Sequence, residues 1–195
     1  MKEIKSGEWS PGLSEEEQKT LFLIAKDTLA RCVKEEKEAF SFSKYQITDK
    51  LKKATHTFVT LKINGRLRGC IGSLPPMPAK PMYESVYDNA ISAALRDMRF
   101  AQVTVGELEE LDVHISLLSP VKSIASVDEF KIGQHGIILS RQHNRAVFLP
   151  EVAVEQNWSK EETLSCLSQK AGMERDAWRS GAEFEVFESV VLAEE

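Results

Sequence analysis

Residues 57–72 read T-F-V-T-L-K-I-N-G-R-L-R-G-C-I-G, and this stretch decides the fold. Thr57 to Ile63 is rich in the β-branched residues that suit a pleated strand. Asn64-Gly65 tolerates positive φ at both positions, which a two-residue hairpin turn requires. Arg66 to Ile71 is then an antiparallel return strand. With that turn, Ile63 faces Arg66, Leu61 faces Arg68 and Val59 faces Cys70. Cross-strand partners share a face, so Arg68 and Cys70 are expected on one side of the sheet and Gly69 on the other. A guanidinium there would favour the Cys70 thiolate. Gly69 and Gly72 would leave backbone open to approach. The competing reading is a packing role. With Val59, Leu61 and Ile63 as companions, Cys70 is a small buried hydrophobe and the glycines mark a bend at a strand end.

Outward from the hairpin, helices and strands alternate irregularly. Ser14-Glu15-Glu16-Glu17 has the form of a capping box, and Leu21, Ile24, Ala25, Thr28, Leu29 and Cys32 follow at helical spacing. Residues 1–12 are polar, contain Pro11 and Gly12, and are expected as a flexible lead-in to one domain over 13–192. Ile47 to Ala54 suggests a short helix. Pro81 is expected to open a helix as its first residue, with Val86, Ala90, Ala94 and Leu95 in its apolar stripe. Asp112 to Leu118 alternates as a strand, and Val127 to Phe130 suggests a short helix. Gly136 to Ser140 and Ala146 to Leu149 pair across the polar turn 141–145. Ser159-Lys160-Glu161-Glu162 repeats the capping-box pattern, Gly172 suits a C′ position, and Phe184 to Leu192 reads as a final strand. Strands that come as hairpins favour an α+β fold, a mainly antiparallel sheet with packed helices, over a doubly wound parallel one.

The 195 residues suffice for one well-cored domain or two small lobes on a shared core. A net charge of −5 with interleaved signs argues against a dedicated nucleic-acid binder. No segment approaches the ~18 apolar residues of a spanning helix, and no secretory signal is expected. Cys32, Cys70 and Cys166 are scattered and odd in number, which points to a reducing cytoplasm rather than a disulfide framework. Cys32 and Cys166 fall on apolar helix faces and read as structural. The histidines His56, His114, His135 and His143 lack ligand spacing, so no metal site is expected. No cofactor fingerprint appears.

Other motifs resemble one known family. The unbroken Leu67-Arg68-Gly69-Cys70-Ile71-Gly72 is the hallmark of the AMMECR domain family, whose prokaryotic members are called AmmeMemoRadiSam system protein A. Similar segments follow in order: 57–61, 93–100, 115–120, 133–138, 148–152 and 170–173. The resemblance runs from about Leu21 to Leu192. Met98 stands where the family commonly has proline, Glu151 where it often has glutamine, and the turn before Phe148 is poorer in glycine. The resemblance implies an α+β fold in two lobes, and a pathway shared with Memo-type and radical-SAM proteins. It also singles out His135, which matches a His-Gly pair.

Two functions are consistent with these residues. In the first, the chain is an enzyme with Cys70 as nucleophile and His135 as base, while Arg68, Gly69, Gly72, Asp97 and Arg99 meet a small-molecule substrate. In the second, it is a non-catalytic binding or adaptor module that uses the hairpin as its ligand or partner site. His135 has a structural alternative, a ring bonded to backbone at a strand start. Asp97 and Arg99 have one too, a salt bridge that fixes their loop.

Overall fold

The computed structural model describes residues 2–194. In chain order come β1 (Lys2–Lys5), α1 (Glu15–Val33), β2 (Ala54–Thr55), β3 (Thr57–Ile63), β4 (Arg66–Gly72), β5 (Lys80–Pro81), α2 (Met82–Leu95), β6 (Asp112–Leu118), β7 (Lys122–Ile124), β8 (Gly136–Arg141), β9 (Asn144–Phe148), α3 (Pro150–Glu155), α4 (Lys160–Lys170), β10 (Glu183–Phe187) and β11 (Ser189–Ala193). The strands form a five-stranded sheet β1-β11-β6-β3-β4, a four-stranded sheet β7-β10-β8-β9 and the pair β2-β5. The pairings of β3 with β4 and β6, and of β8 with β9 and β10, are antiparallel. The chain adopts the expected α+β fold.

Two units divide it. One comprises Pro11–Leu118 and both chain ends, the other Lys5–Ser10 with Ser119–Val190. In the first, the Ser14 hydroxyl accepts from the Glu17 N–H and the Glu17 carboxylate accepts from the Ser14 N–H at 2.8 Å. This capping box satisfies two of the donors that a helix start leaves open. Behind it, Leu21, Phe22, Ile24, Ala25 and Leu29 are buried. α2 starts at Met82, with Pro81 at its N-cap rather than as its first residue. Its buried face is Val86, Ala90, Ala93 and Ala94, and these small residues let it lie close on β3 and β4. One face of the sheet, with Val59, Leu61, Val113 and Ile115 fully covered, closes the core under α1 and α2.

In the second unit, α4 opens on the Ser159–Glu162 capping box and gives way to Gly172 at φ +76°. Leu164 and Leu167 pack with Phe130, Ile137, Leu139 and Val186. Val127–Glu129 forms one 3-10 turn, and Val105–Glu110 in the first unit is a 3-10 helix of 6 residues.

Four local expectations change. Lys2–Lys5 is an edge strand rather than an unstructured lead-in. Residues 49–52 form a turn in place of a helix, and Ala54 already belongs to β2. The turn 141–145 tightens to two residues, with Arg141 opposite Asn144. The final strand is two, broken at Glu188, whose N–H donates to the Ser119 hydroxyl and whose carbonyl accepts from the Ser119 N–H. Those bonds draw Glu188 out of both ladders. Among the described residues no helix is long and apolar enough to cross a membrane.

Candidate functional site

Asn64 and Gly65 take φ of 51° and 74°, and Ile63 faces Arg66 as the turn dictates. Beyond Lys62↔Leu67 the register shifts. Leu61 faces Gly69, Thr60 faces Cys70, Val59 faces Ile71 and Phe58 faces Gly72. Arg68 is the additional residue of a β-bulge. A slip of one residue exchanges the faces of a strand, so Cys70 stands opposite Thr60 rather than Val59 and leaves the core side of the sheet. This corrects the register read from the sequence.

Arg68 is fully engaged. Its Nε and Nη2 donate to the Glu107 carboxylate at 2.6 and 3.1 Å, and its remaining bonds go to the Ala101 and Gln102 carbonyls at 2.8 and 3.1 Å. The guanidinium expected beside the thiol therefore fastens the bulge to residues 101–107. Glu107 also accepts from the N–H and hydroxyl of Thr104. The Arg68 bond, followed by the Thr104 N–H, holds its carboxyl at about 2.

Both glycines of the hexapeptide are filled from within the protein. A Cβ on Gly69 would lie 2.3 Å from the Ala93 carbonyl oxygen, so α2 rests on bare backbone there. A Cβ on Gly72 would lie 2.2 Å from the ring of its cross-strand partner Phe58. The group that Gly69 admits is a helix.

Cys70, Asp97 and Arg99 come together at the outer edge of β4. Asp97 Oδ2 accepts from the Cys70 N–H at 2.9 Å and from Arg99 Nη2 at 2.7 Å. Asp97 Oδ1 accepts from Arg99 Nε at 2.9 Å and from the Arg99 N–H at 3.2 Å. Arg99 Nη2 also donates to the Cys70 carbonyl at 3.2 Å. The pair thus satisfies the two backbone groups that a neighbouring strand would otherwise take. The Asp97 side chain is 4% exposed and that of Arg99 58%. The bond from Arg99 outweighs the cost of burial and holds the Asp97 carboxyl at about 2. Asp97 in turn raises the Arg99 pKa, with a smaller electrostatic contribution from Cys70.

The Cys70 Sγ lies 3.1 Å from Thr60 Oγ1. Across β3, Thr60 stands opposite His114, whose Nε2 is 2.8 Å from Asp112 Oδ2. A thiol, a hydroxyl and an imidazole therefore line up on one face of three neighbouring strands. Alternation alone places Thr60 and His114 opposite the core, but aligning them with Cys70 requires the bulge.

His135 belongs to the second unit. Its Nδ1 accepts from the Lys131 N–H at 3.2 Å, just before β8. Burial lowers its pKa, opposed by the nearby Glu188 carboxylate. Among the described residues, no group of three or more His, Cys, Asp or Glu side chains is placed to hold a metal ion.

Known proteins share this arrangement of chain. A protein of Methanopyrus kandleri is 40% identical over 158 residues, 76% of this chain and 75% of its own. One from Methanosarcina acetivorans is 39% identical over 142 residues, 70% of each. The crystal structure of an uncharacterized protein from Pyrococcus horikoshii matches with a TM-score of 0.84 at 28% identity, over 95% of both chains. The AMMECR1 family model matches residues 22–192, from inside α1 to the fourth residue of β11. By sequence and by fold, this chain belongs to the AMMECR1 family.

Proposed function

We propose that the chain is a cysteine-dependent enzyme of the cytoplasm, with Cys70 attacking a small-molecule substrate in a pathway shared with Memo-type and radical-SAM proteins. The observation that carries this reading is the bulge at Arg68, which turns the thiol away from the core and toward Thr60 Oγ1 at 3.1 Å. A thiol needed only for packing would sit on the side of Val59 and Leu61. In this reading Arg99 offers its exposed edge to an anionic part of the substrate, and Asp97 positions both Arg99 and the Cys70 backbone. The pathway assignment is supported by the family alone.

Alkylation of the native protein by iodoacetamide, followed cysteine by cysteine with mass spectrometry, tests it. Cys70 is expected to react faster than Cys32, whose thiol pKa burial raises and whose Sγ donates to the Leu29 carbonyl. The contrast should be on the order of 10-fold or more at neutral pH, since the thiolate is the reactive form. Equal, slow labelling of Cys70, Cys32 and Cys166 removes the nucleophile.

One observation favours the binding-module reading. Met98, between Asp97 and Arg99, is 98% exposed, and Leu67 of the hexapeptide is also in solvent. Under that reading Cys70→Ser keeps co-elution with a Memo-type or radical-SAM partner while Met98→Asp abolishes it. Co-elution unchanged in Met98→Asp, or absent from the wild type, counts against it.

A further inference from the structure

The core row of β8 ends in a charge. Ile137 and Leu139 pack in the core of the second unit, and strand alternation puts Arg141 on the same face one step further. An apolar residue there would extend the core, whereas a guanidinium asks for acceptors. The protein supplies few. Arg141 Nη1 donates to the Ala177 carbonyl at 3.3 Å, and among the described residues its other donors take no acceptor and no carboxylate pairs with it. Two neighbouring arginines differ: Arg145 donates to Glu185 at 2.8 Å, and Arg179 to Glu161. Arg141 is half-buried, and burial makes an uncompensated charge costly.

The Arg141 head is also held in direction. The carbonyl that it meets belongs to the 3-10 turn Ala177–Arg179. On another side it rests near bare backbone, since a Cβ on Gly181 would lie 3.6 Å from its Nε. A fixed guanidinium with unused donors is the geometry that takes a carboxylate bidentately.

Arg141 lines a cleft of about 560 Å³ formed by the β8–β9 turn and residues 172–180, all within the second unit. That volume is within the range of small-molecule sites. The opposite charge lines the same cleft. Glu174 and Asp176 are exposed there, and among the described residues neither is ion-paired. One cation and two carboxylates therefore share the cleft without pairing with one another. A phosphate or a dicarboxylate would be repelled by Glu174 and Asp176, and a simple amine would be repelled by Arg141. A zwitterion satisfies both signs. Met173, half-buried in the same wall, suits an aliphatic side chain. We propose that this cleft binds a free aliphatic α-amino acid, its carboxylate on Arg141 and its ammonium on Glu174 and Asp176.

Isothermal titration calorimetry of the full chain tests this with three probes of one shape. They are L-leucine, L-leucinamide, which lacks the carboxylate, and N-acetyl-L-leucine, which lacks the ammonium. Leucine is expected to bind, and each of the others to bind roughly 10- to 100-fold more weakly, the worth of hydrogen bonds to a charged group. Arg141→Met should weaken leucine by a similar factor. That variant also releases the Ala177 carbonyl, so the double variant Glu174→Gln/Asp176→Asn is measured beside it. Both of those side chains are exposed, and its thermal unfolding should match the wild type while its leucine affinity falls. No binding of leucine at about 10 mM overturns the proposal. So does leucinamide or N-acetyl-leucine binding as tightly as leucine, or a leucine affinity unchanged in either variant. Inorganic phosphate binding where leucine does not also overturns it, and makes the cleft an anion site.

Discussion

Gly69→Ala should lower the stability of the folded chain by about 3 kcal/mol, at the upper end of what overpacking a fixed core usually costs. The added methyl group would stand 2.3 Å from the Ala93 carbonyl oxygen. That neighbour is helix backbone, so no rotamer change relieves the clash. Either α2 lifts from β4 or the bulge unwinds. Both movements disturb Val59, Leu61, Ala93 and Ala94, which are buried where the helix meets the sheet. Urea unfolding should show a lower midpoint, and thermal unfolding a fall of roughly 6–12 °C for a chain of this size. Gly106→Ala is the matched control, because nothing lies within 4 Å of the added Cβ there. It should stay within about 0.5 kcal/mol of the wild type. If the two variants unfold alike, the close approach of α2 is wrong.

Asp97→Ala is expected to cost about 3 kcal/mol, because it orphans a cation and an edge N–H together. The carboxylate accepts four bonds, one from the Cys70 N–H and three from Arg99. The loss should depend on pH. The Asp97 carboxyl titrates at about 2 when folded against 3.8 ordinarily. A depressed folded pKa stabilises the protein above the ordinary value and ceases to do so as pH falls through the folded one. The Asp97 contribution is therefore whole above about pH 4 and fades toward pH 2, by about 2 kcal/mol. Glu107, moved from 4.5 to about 2, fades over the same acid range in both proteins. Urea titrations of wild type and variant at pH 6 and pH 2.5 should show the gap between them narrowing in acid. A gap that is constant with pH would mean that the carboxylate charge contributes nothing.

The parts legible in the sequence are those whose causes are local. Ser14 and Glu17, or Ser159 and Glu162, carry a whole helix start within four residues, and Asn64-Gly65 carries its turn in two. The bulge was not legible, because Arg68 is held out of register by Glu107, 39 residues away. For the same reason the break at Glu188 could not be read, since its partner Ser119 is 69 residues distant. α3 is six residues long and starts on Pro150, too short for a helical period to show. At the site, Cys70, Asp97 and Arg99 could be named from their chemistry. Thr60 could not, because its nearness to the sulfur depends on one extra residue in the opposite strand. Arg68 and the two glycines have the chemistry of a binding site, yet their partners are Glu107, α2 and the Phe58 ring.

The break at Glu188 also bears on synthesis. β11 is an inner strand between β1 and β6, and Ser189 exchanges bonds with Ser6, 183 residues earlier. As the chain emerges from a ribosome, β3, β4 and β6 can pair early, but β6 keeps an open edge until residues 189–193 appear. During that interval β1 has no neighbour, and the open edge invites pairing with another nascent chain. The order in which the strands are made therefore leaves the edge of β6 exposed over the stretch of translation between Leu118 and Ser189, and closes it with the last strand to be made.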